Sequence, residues 1–276
     1  TFRNTVFYRI LILKMKVFTL TAVFALFPML LAQTLAAEKT YKMVGTEYPP
    51  FTFTDPATGT PAGFAVDLAK AMCTKSARTV SVELHPWKRA ESMLAANPGT
   101  IAFMARTEAR EHQYRWIGPV YPRRSYLWAL ASSNRAEQAR KGELGTLTVS
   151  VVRGYASLDE LRKTGIAERN ISEATDDAQN LKKLLAGRVD LIHANDLVLA
   201  WKLRAEGIPP ETLVALFDIT SPDSNEYYFG IHRNADDTEV SLLQNALDNL
   251  RQSGEFDRLL AAYPIILRQG TQGAVK

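Results

Sequence analysis

The 276-residue sequence contains a single cysteine, Cys73, so no disulfide can form within the chain. This cysteine lies in an apolar segment with helical spacing, where cysteine usually serves as a small buried residue, and no redox or nucleophilic role is expected. The four histidines, His85, His112, His193 and His232, have no spacing typical of a metal site, either among themselves or with carboxylates. We therefore expect a fold held by packing alone, with no metal and no cofactor.

Beyond residue 37 the sequence lacks any stretch apolar enough to span a bilayer. Before it, residues 17–32 form a nearly unbroken apolar run that follows Lys14 and Lys16 and precedes small residues ending in Ala37. A basic segment, an apolar segment and a small-residue cleavage site are typical of a secretory signal peptide. A membrane anchor is the alternative, although the run is short for a span. We predict export with cleavage after Ala37, so that residues 1–37 are an N-terminal extension and signal peptide.

The remaining chain also lacks an excess of either charge. The whole sequence has 33 Lys and Arg against 29 Asp and Glu, but the predicted signal peptide contains Arg3, Arg9, Lys14 and Lys16 and no acidic residue. The exported part is therefore formally neutral. A neutral chain has no electrostatic footprint for nucleic acid or an anionic membrane, so neither is expected as a partner.

Strand and helix patterns alternate through the rest of the chain, and this order implies parallel pairing in an α/β protein. Predicted strands cover residues 41–46, 80–84, 101–104, 126–131, 147–152, 171–174, 189–194, 213–217 and 227–232. Predicted helices cover residues 64–75, 87–96, 157–163, 178–186, 197–205, 239–251 and 256–262. Residues 132–145 are polar and rich in turn formers. Two α/β units with a similar rhythm predict a first lobe from residues 38–131 and 226–276 and a second lobe from residues 132–225.

One segment combines the features of an anion-binding site. The apolar run at residues 101–104 is followed by Thr107, which has the character of an N-cap for a helical turn, and then by Arg110. A guanidinium at the carboxyl end of a strand, beside unpaired N–H groups at a helix start, can hold a planar carboxylate through two parallel hydrogen bonds. The alternative is an exposed helical arginine paired with Glu111 or with nothing, since surface ion pairs are common and contribute only about 0–1 kcal/mol.

Five short motifs occur in order along the chain. They are Tyr48-Pro49-Pro50-Phe51, Gly63-Phe64-Ala65-Val66-Asp67-Leu68-Ala69, Pro86-Trp87, Thr107-Glu108-Ala109-Arg110 and Gly187-Arg188-Val189-Asp190. Behind an export signal, this series resembles the successive motifs of bacterial extracellular solute-binding proteins of family 3, the periplasmic components of polar amino-acid ABC transporters. The resemblance implies a type II periplasmic-binding-protein-like fold, with two α/β lobes joined by two crossover strands and a ligand cleft that closes by hinge bending.

The resemblance also implies a set of ligand-binding residues in the first lobe. Arg110 matches the arginine that holds the ligand α-carboxylate, in agreement with the independent interpretation above. Tyr48 and Trp87 match positions that flank the ligand side chain, where aromatic faces offer large contact areas and could attract a cation. The alternative for each is a packing role. Thr107 and the backbone of Ala105 complete this part of the predicted site.

In the second lobe, Gly154, Tyr155 and Ala156 match the turn whose backbone meets the carboxylate, although Tyr155 replaces a smaller residue. The acidic residue that commonly pairs with the ligand α-ammonium aligns with Asn195, and Asp196 follows it. Neighbouring strand residues face opposite sides, so Asp196 can substitute for the acid only if the strand has already ended. Asp196 could equally be a helix N-cap.

The expected function is capture of a small carboxylate-bearing ligand, an amino acid or a related compound, by a periplasmic monomer that delivers it to an ABC transporter permease. No catalysis is expected. One alternative is an exported enzyme resembling cyclohexadienyl dehydratase, which would need a general acid in the cleft, for which Glu47 and Asp196 are the available residues. Another alternative is a solute-sensing module.

Overall fold

A computed structural model describes residues 39–263. The predicted signal peptide, residues 1–37, and the end of the predicted first lobe, residues 264–276, lie outside the described residues. Within residues 39–263, no helix has the length and apolar character needed to cross a membrane. In the same part of the chain, no group of three or more His, Cys, Asp or Glu side chains is arranged to hold a metal ion.

Strands and helices alternate along the described chain. The strands are β1 (Thr40–Gly45), β2 (Phe53–Thr54), β3 (Pro61–Ala62), β4 (Thr79–Leu84), β5 (Thr100–Ala105), β6 (Tyr114–Pro122), β7 (Ser125–Leu130), β8 (Val149–Val152), β9 (Ile171–Ala174), β10 (Leu191–Asn195), β11 (Leu213–Asp218) and β12 (Glu226–His232). The helices are α1 (Phe64–Lys75), α2 (Trp87–Ala96), α3 (Glu108–Glu111), α4 (Asn134–Arg140), α5 (Ser157–Lys163), α6 (Asp177–Leu185), α7 (Asp196–Ala205), α8 (Asp237–Gln252) and α9 (Glu255–Ala261).

The first five-stranded sheet has the order β4-β1-β5-β12-β6. Strand β1 is parallel to β4 and β5, whereas β12 is antiparallel to β5 and β6. The central strand β5 is buried on both faces, which explains its continuous apolar sequence. On one face Ile101 and Phe103 pack in a core with α1, α8 and α9, and on the other face Ala102 and Met104 pack against α2.

The second five-stranded sheet has the order β11-β7-β10-β8-β9. Strand β10 is parallel to β8 and antiparallel to β7, so its carboxyl end lies beside the start of β7. Helices α4 and α5 cover one face through a core that includes Leu161 and Leu191. Helices α6 and α7 cover the other face through a core that includes Leu184 and Ile192. We call the first sheet with its helices lobe 1 and the second sheet with its helices lobe 2.

The predicted two-lobe α/β fold is confirmed. The chain passes from the first sheet to the second between Pro122 and Ser125, and it returns between Asp218 and Glu226. The two crossing segments are bonded to each other, because the Arg123 backbone N–H donates to the Asn225 carbonyl oxygen at 2.7 Å. The predicted lobe boundary at residue 131 assigned β7 to lobe 1, whereas its pairing with β10 and β11 favours an earlier boundary.

Besides the two-residue strands β2 and β3, the sequence prediction missed two longer elements, β6 and α4. Strand β6 contains Gly118 and Pro119, which interrupt a strand pattern, but it lies at the edge of its sheet, where a missing backbone N–H is tolerated. Helix α4 occupies part of the segment that was predicted to be turn-rich. Its buried residues are Ala136 and Ala139, which are too small to give a strong apolar signal in a polar sequence.

The first testable prediction concerns Gly63, at the N-cap of α1 with φ +122°. A Cβ at this position would lie 2.3 Å from the Phe51 carbonyl oxygen, so Gly63→Ala combines backbone strain with a backbone clash. We expect the free energy of unfolding to fall by about 3 kcal/mol or more, measured by urea denaturation. The control is Gly59→Ala, which has φ +67° but no neighbour within 4 Å of a Cβ, and should cost only about 1 kcal/mol. Equal losses would contradict the packing argument.

Candidate functional site

A cavity lies where the two lobes face each other, and both lobes and a crossing segment contribute to its wall. It encloses about 490 Å³ of space outside protein atoms, part of it open to solvent. The residues that line it are Thr46, Tyr48, Thr52, Trp87, Phe103, Met104, Ala105, Arg110, Arg123, Tyr155, Ala156, His193 and Tyr227. Six of the ten predicted site residues are in this set. They are Tyr48, Trp87, Ala105, Arg110, Tyr155 and Ala156.

Arg110 lies in the wall of this cavity and is only 8% exposed. The one-turn helix α3 follows the end of β5 and directs the side chain back along the strand, where an Nη1–H group donates to the Ala105 carbonyl oxygen at 3.4 Å. The Nη2 group donates to Glu91 Oε1 and to the Gly154 carbonyl oxygen, both at 3.1 Å. Because Gly154 belongs to lobe 2, the guanidinium joins the two walls of the cleft.

The alternative for Arg110, an exposed arginine paired with Glu111, is wrong. Glu111 instead accepts from Arg106 Nε and Nη2 at 2.7 and 2.5 Å. Thr107 occupies the N-cap position of α3, but its hydroxyl makes no cap hydrogen bond, and it is not among the residues that line the cavity. Its carbonyl oxygen accepts from the Arg110 backbone N–H at 3.0 Å, so Thr107 shapes the turn that carries the arginine.

The charged partner of Arg110 within lobe 1 is Glu91, on α2. The sequence prediction did not include this residue. Its second carboxylate oxygen accepts from Lys88 Nζ at 2.9 Å. The Lys88 side chain also packs on Gly154, since a Cβ built there would lie 2.5 Å from Lys88 Cε. The only sequence signal was the i, i+3 spacing of Lys88 and Glu91, which is common on exposed helices.

Aromatic rings form most of the remaining wall. Tyr48 packs edge-on against Tyr155 of lobe 2 at 5.7 Å between ring centroids, and its hydroxyl is 2.7 Å from that of Tyr227. Phe103 lies 4.8 Å from the Tyr227 ring. The Trp87 ring lies 5.1 Å from the Arg110 guanidinium carbon, within range of a cation–π interaction. The rings of Tyr48 and Trp87 therefore pack against neighbouring side chains and also line the cavity.

Tyr155 is held in place by Asp177, the first residue of α6. The Tyr155 hydroxyl donates to Asp177 Oδ2 at 3.0 Å. Burial raises the pKa of Asp177 to about 6, because the charged carboxylate has lost most of its contact with water. Asp177 itself is not among the residues that line the cavity, so it acts through the tyrosine.

Asn195 and Asp196 do not line the cavity in this conformation. Strand β10 ends at Asn195, which is the N-cap of α7, because its Oδ1 accepts from the backbone N–H groups of Leu197 and Val198 at 3.0 and 3.1 Å. Its Nδ2 group donates to the Arg124 carbonyl oxygen at 2.8 Å. The suggestion that Asp196 is the N-cap is wrong, since it is the first residue of the helix. Burial raises its pKa to about 6.

A buried ion pair that the sequence did not reveal joins the crossing to lobe 2. Arg123 and Glu160, 5% and 4% exposed, form two parallel hydrogen bonds of 2.6 and 2.8 Å. The Ser224 hydroxyl, from the returning segment, also donates to Glu160 at 2.8 Å. Burial by itself raises the pKa of Glu160, but the hydrogen bonds and charge of Arg123 outweigh it, and the pKa is lowered. Two adjacent arginines, Arg123 and Arg124, lie between the strands, and the sequence gave no signal that one of them pairs with Glu160.

The capping role of Asn195 is tested by Asn195→Ala. The substitution removes the acceptor for two N–H groups at the start of α7, and we expect the free energy of unfolding to fall by about 1–2 kcal/mol. Thermal denaturation should show a decrease of roughly 2–8 °C for a chain of this size. The control is Asn245→Ala on the exposed face of α8, which should change the melting temperature little. An unchanged melting temperature in both variants would contradict the cap.

The buried ion pair is tested by Glu160→Ala, which leaves Arg123 charged and without its partner. We expect a loss of about 3–5 kcal/mol in chemical denaturation. The matched control is Glu168→Ala, because Glu168 also accepts two hydrogen bonds from an arginine, Arg162, but on the surface. That loss should stay below about 1 kcal/mol. Similar losses in the two variants would mean that the Arg123 pair contributes no more than a surface pair.

Comparisons with known proteins show which proteins this chain resembles. A probable histidine-binding protein of Neisseria gonorrhoeae is 24% identical over 245 residues, which cover 86% of each chain. A histidine kinase sensor domain with similarity to periplasmic binding proteins superposes with a TM-score of 0.73 at 21% identity, covering 82% of this chain and 96% of that one. The ancestral amino acid-binding protein AncCDT-1, a precursor of cyclohexadienyl dehydratase, superposes with a TM-score of 0.68 at 19% identity, covering 82% and 95%.

The family model of the bacterial extracellular solute-binding proteins, family 3, matches residues 43–264. This range contains both sheets except for the first three residues of β1, both crossing segments and every residue that lines the cavity. The match agrees with the motif resemblance found in the sequence. The chain belongs to the bacterial extracellular solute-binding proteins of family 3.

Proposed function

We propose that this protein captures a small carboxylate-bearing solute, an amino acid or a related compound, and delivers it to the permease of an ABC transporter. The observation that carries the proposal is the Arg110 guanidinium, which is buried in the wall of the cavity between the lobes and donates to a carbonyl oxygen of the opposite lobe. A planar fork in this position can hold a carboxylate through two charge-assisted hydrogen bonds.

Closure of the cleft would follow from the same contacts. Gly154 and Tyr155 of lobe 2 approach Arg110 and Tyr48 of lobe 1, so a ligand between them would touch both lobes. A ligand that contacts both walls binds the closed form better than the open form, and this difference shifts the equilibrium towards closure. The permease would then recognise the closed arrangement of the lobes.

The proposal includes export, because the family is extracellular and residues 1–37 have the composition of a cleaved signal peptide. We propose a periplasmic monomer. Its binding function would require no catalysis. Of the two acids named for the dehydratase alternative, Glu47 accepts from the Thr54 hydroxyl and Asp196 from the Leu197 backbone N–H, and neither lines the cavity. This arrangement favours binding over the dehydratase alternative. The same capture step would serve a sensing role.

The role of Arg110 is tested by Arg110→Ala, using a ligand found in a thermal-shift screen of amino acids and organic acids. We expect isothermal titration calorimetry to show at least about a 100-fold loss of affinity, because the ligand carboxylate loses its charged donor. The control is Arg106→Ala, which removes a neighbouring arginine that pairs with Glu111 outside the cavity. That variant should bind within about twofold of wild type. Retained affinity in Arg110→Ala would refute the assignment.

A further inference from the structure

The cavity wall contains cationic and aromatic side chains but, among the described residues, no aspartate or glutamate. We infer that this cleft selects a monocarboxylate on an apolar or aromatic body and discriminates against an α-ammonium group on the same molecule. The inference rests on the proposed function and names the class of ligand.

Two charge clusters beside the cavity differ in net charge. Arg123 and Glu160 form a closed pair with no net charge, and two hydrogen bonds join them. Lys88, Glu91 and Arg110 form a second cluster, in which one carboxylate contacts two cations and leaves one positive charge in excess. If a ligand carboxylate takes the place of Glu91 on Arg110, Lys88 can still hold Glu91. A single negative charge on the ligand would then neutralise this cluster.

Lys88 retains Glu91, and the other acids near the wall accept hydrogen bonds from the protein. Asn195 at the end of β10 carries no charge, and its side-chain oxygen caps α7. Asp196 accepts from the Leu197 backbone N–H at 2.8 Å and does not line the cavity. Asp177 accepts from Tyr155, whose side chain lines the cavity in its place. A buried ammonium without a carboxylate partner would lose its hydration without compensation.

Two buried side-chain atoms of the wall have no hydrogen-bond partner among the described residues, and one of them, the Trp87 indole N–H, favours an anion. Trp87 is 5% exposed, and its indole N–H has no hydrogen-bond partner within the described residues. An indole N–H can only donate, so it requires an acceptor, and its ring lies beside Arg110. His193 Nε2 is the other unpartnered atom in the wall. Burial lowers the pKa of His193 to about 3, so the ring is neutral and adds no charge to the cavity wall.

The experiment uses three pairs of compounds that differ only in the α-ammonium group. They are 3-phenylpropionate with L-phenylalanine, indole-3-propionate with L-tryptophan, and 4-methylpentanoate with L-leucine. Calorimetry on the wild-type protein should show that at least one deaminated acid binds at least tenfold more tightly than its amino acid. The inference is overturned if no acid is preferred, including the case in which none of the six compounds binds.

A wider panel separates this failure from failure of the proposed function. If any amino acid in a thermal-shift screen binds while the three acids do not, the ammonium argument is wrong and solute capture stands. If neither amino acids nor organic acids bind, both proposals fail. Phenethylamine, which keeps the ring and the amine but lacks the carboxylate, should not bind, and binding of this compound would also overturn the inference.

The indole donor is tested by Trp87→Phe, which keeps an aromatic ring and removes the N–H group. We expect the affinity for the preferred acid to fall about threefold to tenfold, with little change in melting temperature because the N–H group has no protein partner to lose. The control is Trp116→Phe, in lobe 1 but outside the cavity, which should leave affinity unchanged. Unchanged affinity in Trp87→Phe would remove the indole from the proposed site.

Discussion

The buried Arg123–Glu160 pair is the interaction on which the arrangement of the two lobes depends. Arg123 belongs to the segment that leaves the first sheet, Ser224 to the segment that returns to it, and Glu160 to a helix of lobe 2. Two buried charges are stable only when their hydrogen bonds are complete. Arg123, Glu160 and Ser224 supply these hydrogen bonds to one another. The pair therefore ties both crossings to lobe 2, beside the cavity that Arg123 also lines.

Arg110 differs from Arg123, because its carboxylate partner Glu91 is shared with a second cation, Lys88. Glu91 contacts both Arg110 and Lys88, so it can release the first without becoming an unpaired charge. The Gly154 carbonyl oxygen lies at the surface of lobe 2 that faces the cleft. A fixed ion pair at the crossing and a replaceable one at the cleft are suited to a protein that must keep its lobes connected while a solute enters and leaves.

Family membership and ligand chemistry depend on different residues. The motifs that identify the family shape the loops, the helix starts and the position of Arg110. Other residues that line the cavity, among them Phe103, Arg123 and Tyr155, lie between these motifs. A shared fold therefore does not carry the ligand of a relative over to this chain.

Sequence reasoning predicted most strands and helices, since apolar periodicity and turn formers are local properties. Helices α1, α2 and α5 begin and end as predicted, whereas β6 and α4 were missed, because one contains Gly118-Pro119 and the other buries only alanines. Among the site residues, the position of Arg110 followed from the end of a strand and the start of a helix. Resemblance placed Thr107, Asn195 and Asp196 in the site, but in the described structure none of them lines the cavity. Thr107 and Asn195 are N-cap residues, and Asp196 is the first residue of α7.

The sequence by itself determined the α/β class, the family and the arginine at the end of β5, because each depends on residues close together in the chain. Only the tertiary structure decided which charges meet. Glu91 reaches Arg110 across 19 positions and Glu160 reaches Arg123 across 37, and neither distance leaves a pattern in a single sequence. Pairings of this kind arise when separate elements pack together, and they fix the charge that the cleft presents to its ligand.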